Sequence, residues 1–206
     1  YTPEHNAYPY NYMIGSEAQR RDAVDYLKLS LEMAKEMGAE FVLTSPANGG
    51  YLATYDQLWS RLEKNIQELG DYAAKLEIKL VVEALTPYES NFFTRANDLV
   101  ELFRRVDNPY VVGMCDIVPP FVQHESIMAY FDKLGNKMDH MHIIDGENGS
   151  DTHLIPGEGN IPIKEMLYEM KRIGYDKTAT LELVTNYINE PRFYAKRAID
   201  NMRELM

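Results

Sequence analysis

Apolar residues recur along this chain in two alternating rhythms, one helical and one strand-like. From Ser16 to Met37, Val24, Leu27, Leu31 and Ala34 share a helical face, and Gly38 supplies a stop. FVLTSPA, from Phe41, reads as a strand. Thr54 is placed to cap a helix over Tyr55–Leu76, with Leu58, Leu62, Ile66 and Leu69 on one side. The run KLVVEAL follows, then a helix from about Ala96 to Val106 that ends before Asn108-Pro109. VVGMCDI is the next strand, and a helix over Glu125–Leu134 stops at Gly135. MDHMHII, a helix opened by Pro162 and closed by Gly174, the strand TATLELV and a helix over Glu190–Leu205 complete the series.

Strands that alternate with helices form parallel sheets covered by those helices. Two architectures compete, an open doubly wound sheet and a closed (β/α)8 barrel. In the first, ligand groups gather at one switch point. In the second, the carboxyl ends of all strands converge on one axis. Four successive strand runs here each carry an ionisable residue in their carboxyl-terminal half: Glu83, Asp116, His142 and Glu182. That favours the barrel. Five whole strands are legible, so the expectation is a TIM barrel lacking its amino-terminal part, with strands 4–8 and the end of strand 3, as one domain over residues 1–206. YTPEHNAYPYNYM would then be the loop after the third strand.

The 206 residues are 45% hydrophobic, enough for a sizeable core. A formal net charge of -11 argues against nucleic-acid binding. A lone cysteine, Cys115, excludes an intramolecular disulfide framework. No run is long enough to span a membrane, and the expected location is the cytoplasm.

A charge inside an apolar strand is costly unless it is paired or bound to metal. Two glutamates, an aspartate and a neutral imidazole can surround one divalent cation and leave room for substrate oxygens. Mn²⁺, Co²⁺, Ni²⁺ or Mg²⁺ suits this set; Zn²⁺ is less favoured without thiolates or more imidazoles. The bland alternative is a structural ion-pair cluster, but no Lys or Arg lies inside these strand cores. His140, two residues before His142, reads as a hydrogen-bonded interior residue. In the loops, Glu89 of LTPYESN either contacts sugar hydroxyls or caps its own turn, and His153 or Glu158 of DTHLIPGEGNIP is within reach of a ligand. Cys115 and Trp59 read as packing residues.

YTPE with YPYN, AKEMGA, EALTPYESN, CDI followed by PPFVQ, YFDKLG, HMHIID, SDTHLIPGEG and ELVTNYINEPR together resemble the xylose isomerase-like family of sugar isomerases and epimerases, over essentially the whole chain. Within it the chain is most similar to epimerases of the fructoselysine/psicoselysine type. The resemblance implies that Glu83, Asp116, His142 and Glu182 bind one divalent metal. It also implies that Glu83 and Glu182 invert C3 of a ketosugar or ketosugar-amine conjugate by deprotonation and reprotonation through an enediolate. Family members acting on plain ketohexoses have a substrate-contacting His where this chain has Pro119, and an Arg where it has Asn148. Both departures point to an aminodeoxy-sugar with a bulky amine, with Tyr88, Glu89 and His153 as contacts. A homo-oligomer is expected from the family. An aldose-ketose isomerase of the same fold, or an inactive sugar-binding fragment, would fit the same residues.

Overall fold

The computed structural model describes residues 10–147 and 149–206, without the side chain of Thr185. Residues 1–9 of the expected amino-terminal loop and the departure at Asn148 lie outside the described residues. Contacts divide the chain into two compact units, Tyr1–Gly113 and Met114–Met206, and the division falls within one strand.

In the first unit, α1 (Glu17–Met37) and α2 (Tyr55–Leu76) begin as the sequence predicts. Ser16 and Thr54 each accept a hydrogen bond from the backbone three residues on, and Gln19 and Gln57 reach back to the cap. Such reciprocal caps satisfy otherwise orphaned N–H groups and are worth about 1 kcal/mol each. Gly38 ends α1 with a left-handed φ of 73°. The predicted apolar face of α2 is buried. The strands are β1 (Phe41–Thr44), β2 (Lys79–Val82) and the first half of β3 (Val111–Asp116), all parallel. Phe41 pairs with Lys79, and Leu80 with Val111. α3 (Ala96–Arg105) follows β2. Trp59 is buried on α2 against Phe92, with ring centroids 5.2 Å apart, and Arg105 stacks on its face, as a packing residue should.

In the second unit, the end of β3 is followed at once by α4 (Val118–Val122), a helix the sequence reading did not foresee. Pro119 and Pro120 concealed it. Proline suits a first helical turn, where no N–H is needed. The next helix, α5, is Met128–Leu134 and so starts later than expected, because Glu125 still hydrogen-bonds back to Pro120. Then come β4 (Met138–His142), α6 (Ile163–Ile173), β5 (Thr178–Thr180) and α7 (Pro191–Leu205). Cys115 is buried.

β5 requires a correction. TATLELV is not a buried strand: only three residues pair, and all three are exposed. β5 is last in the strand order and pairs with β4. What fastens it is His140. Its Nδ1 lies 2.7 Å from Thr178 Oγ1 and its Nε2 3.1 Å from Thr180 Oγ1. This is the interior, hydrogen-bonded role expected of His140. Burial, together with the neighbouring His142, pulls its pKa down to about 4.

Candidate active site

The second unit assembles a polar cluster at the carboxyl ends of its strands. Asp116 is the last residue of β3. Its Oδ1 accepts a hydrogen bond from Val118 N at 2.8 Å, which fixes the carboxylate and starts α4. Its Oδ2 is then directed at two imidazoles, 3.7 Å from His142 Nδ1 and 3.4 Å from His153 Nε2. His142 is the last residue of β4 and is buried. Glu182 lies two residues beyond β5 and does not belong to the strand. Its Oε2 is 3.1 Å from His142 Nδ1 and 3.2 Å from His153 Nε2. Asp116, His142 and Glu182 each offer one ligand atom, and these atoms lie within 4.8 Å of one another.

Glu83, the fourth expected ligand, belongs to the first unit. It is the residue immediately after β2, buried, with its N–H donating to Thr44 O at 3.0 Å. Both glutamates therefore sit just past their strands, whereas Asp116 and His142 end theirs.

His153 was expected as a substrate contact and occupies a more central place. Its ring bridges Asp116 and Glu182 through Nε2 and meets Asp151 Oδ1 through Nδ1 at 3.1 Å. Burial works against its charge, but the hydrogen bonds to Asp116, Asp151 and Glu182 outweigh it and hold the imidazolium well above its ordinary pKa. Burial likewise opposes ionisation of Glu182, and the bonds to His142 and His153 overcome it and depress its pKa. The ion-pair alternative therefore has a cation in His153. Three carboxylates (Asp116, Asp151 and Glu182) still exceed that one charge. Oxygen donors with one imidazole and a surplus of negative charge fit a hard divalent cation.

The loop that presents His153 is built on Asp145, a residue the sequence reading quoted but gave no role. Asp145 is buried, and it pairs with Leu154 through two backbone hydrogen bonds of 2.7 Å. Its Oδ1 accepts from Gly146 N and Ile161 N, and its Oδ2 from Gly157 N. Three backbone donors thus satisfy this buried carboxylate. Gly159 must be glycine here, since a Cβ would lie 2.4 Å from Asp145 Oδ1. This explains the GEG turn as a packing requirement. His153 itself has φ 45°, a strained value for a non-glycine residue.

The other nominees divide. Glu158 pairs with Arg197 on α7. Glu89 uses Oε2 to accept from Thr86 N (3.1 Å) and Thr86 Oγ1 (2.9 Å), which is the turn-capping alternative. Tyr88, on the same turn, is 67% exposed. Asp151 was missed altogether; its only sequence signal was its place two residues before His153. Among the described residues, no helix is long and apolar enough to cross a membrane.

Comparison with known proteins extends this picture. A fructoselysine 3-epimerase of Shigella flexneri is 48% identical over 206 residues, covering 100% of this chain and 75% of that protein. Among solved structures, a D-psicose 3-epimerase from Clostridium cellulolyticum, crystallised with D-tagatose, superposes with a TM-score of 0.79 at 18% identity, covering 97% of this chain and 75% of its own. The IolI protein, crystallised with a zinc atom, gives 0.76 at 20% identity, with 95% and 71% covered. The named epimerases among these are isomerases. The family model described as xylose isomerase-like TIM barrel matches residues 2–205. Matched over nearly its full length, this chain belongs to the xylose isomerase-like TIM barrel family.

Proposed function

We propose that this chain is a divalent-metal-dependent epimerase that inverts C3 of a ketosugar-amine conjugate, with Glu83 and Glu182 as the two proton-transferring groups. The observation that carries the reading is the convergence of Asp116, His142 and Glu182 ligand atoms within 4.8 Å. Identity of 48% to a fructoselysine 3-epimerase supports the substrate class. Glu83, Asp116, His142 and Glu182 would hold the cation. When bound, it acts as a Lewis acid on neighbouring carbonyl and hydroxyl oxygens, bringing the C–H acidity between them within reach of a carboxylate.

The chain's own residues do the rest. Glu182, kept ionised by His142 and His153, accepts a proton from C3 or returns one. Glu83 performs the converse transfer from the opposite face of the carbon, so that the configuration inverts. Neither is assigned the first step. Asp116 holds one oxygen in the cluster because its other is committed to Val118 N. His153, fixed by Asp151, is a donor to a substrate oxygen or to the carboxylates. The small-molecule substrate, a homo-oligomeric state, a cytoplasmic location and a single domain over 1–206 belong to the same proposal, with Tyr88 and Glu89 on the rim and Glu158 supporting the His153 loop through Arg197.

The test is incubation with fructoselysine in D₂O. Deuterium at C3 with formation of the C3 epimer supports the assignment. Label confined to C1 or C2 would identify an aldose-ketose isomerase, and no label with metal present would contradict catalysis.

A further inference from the structure

Outside the cluster, the second unit holds a groove of about 820 Å³, a size suited to a small-molecule ligand. Phe121 of α4, Met128 of α5 and Met166 of α6 give it an apolar lining, and Glu125, Glu165 and Glu169 are its acidic members. Among the described residues no lysine or arginine lines it, and His124 is its one basic side chain. Glu125 and Glu169 are partly compensated from outside, by Lys133 at 2.8 Å and Arg172 at 2.7 Å. Glu165 is exposed and makes no ion pair among the described residues.

The position is as informative as the lining. α4 begins directly after Asp116, and Met128 and Glu165 lie in the first turns of α5 and α6. In a βα unit the first turn of each helix stands at the carboxyl end of the sheet. The groove therefore opens on the same face as Asp116, His142 and Glu182. Its lining includes Gly149, two residues before Asp151 on the loop that Asp145 clamps. Methionines line grooves that accept flexible aliphatic chains, because the thioether adapts its shape.

We infer that this groove is the subsite for the amine-bearing aliphatic substituent of the substrate, with the alkyl chain on Phe121, Met128 and Met166 and the cationic end facing Glu165 and Glu169. The inference rests on the proposed ketosugar-amine epimerase and adds where the amine part is recognised. Charge complementarity selects the occupant: an apolar channel lined by three glutamates, with no lysine or arginine among the described residues, attracts an alkylammonium and repels a phosphorylated or carboxylate-tailed sugar.

Two measurements test it. The first is the preference for fructoselysine over fructose, as the ratio of kcat/KM values, in wild type and in Glu165→Lys and Glu165→Gln. Glu165→Lys should lower the ratio about tenfold, mainly through KM for fructoselysine, with Glu165→Gln between it and wild type. An unchanged ratio in both variants overturns the inference. The second follows ¹³C-methyl methionine signals during titration with n-hexylammonium chloride. Shifts of Met128 and Met166 that are weakened in Glu165→Lys support the subsite, and signals that do not move overturn it. If neither sugar exchanges its C3 proton, the proposed function fails, and the methyl titration still decides whether the groove takes an alkylammonium.

Discussion

β4 and β5 are neighbours in register, yet they hold their functional residues by different means. β4 is buried along its whole length, and His142 is positioned by the strand that ends with it. β5 is exposed at all three residues, and Glu182 comes two positions after its last pair. The sheet sets His142, whereas Glu182 lies against two imidazoles, 3.1 Å from His142 Nδ1 and 3.2 Å from His153 Nε2. A group placed by its strand is rigid whether charged or neutral. A group placed by its charge keeps its position only while its partners keep theirs. Glu182, one of the two proposed proton-transferring groups, is of the second kind.

The largest expected effect breaks the charge-held side. Glu182→Gln should reduce C3 deuterium exchange by about 10³-fold, within the range for loss of a general acid-base group, while circular dichroism stays that of wild type. Retained exchange in that variant would rule out the two-glutamate assignment. Next is the loop that carries His153. Asp145→Ala leaves the N–H groups of Gly146, Gly157 and Ile161 without their acceptor and should cost about 3 kcal/mol in urea unfolding, with faster amide exchange over residues 146–161. Wild-type exchange rates in that loop would show that the clamp lies elsewhere.

A smaller effect sharpens the link between the two strands. His140 titrates near 6.5 when unfolded but only near 4 when folded. Between those values the unfolded chain binds more protons, so stability is complete above about pH 6.5 and falls as the pH drops towards 4, by about 3 kcal/mol at most. His140→Gln should flatten that acid limb in denaturant titrations; an unaltered limb would assign it to other groups. The smallest effect concerns a different loop. Glu89→Ala removes the acceptor for Thr86 and should cost about 1 kcal/mol. A KM for fructoselysine more than tenfold higher would instead mark Glu89 as a substrate contact.

The βα rhythm was legible because helix faces and strand runs follow two distinct periods, and the caps at Ser16 and Thr54 are local signals. Asp116 and His142 were legible because a charge in an apolar run stands out. Glu182 stood out by the same rule, although its run is exposed over Thr178–Thr180 and only half-buried from Leu181 to Val184. α4 was hidden by prolines that usually mark a break but suit a first turn. Asp145 and Asp151 were hidden because their partners are backbone donors and a loop histidine, and neither follows a period in the chain.

The most direct test is a titration of the metal-free protein with Mn²⁺, followed by the loss of the free-ion paramagnetic resonance signal. One equivalent bound per chain, with binding abolished in Asp116→Asn, is the expected result. A wild-type protein that leaves all the manganese free, or an Asp116→Asn variant that binds it equally well, would contradict a cation held by these strand-end residues.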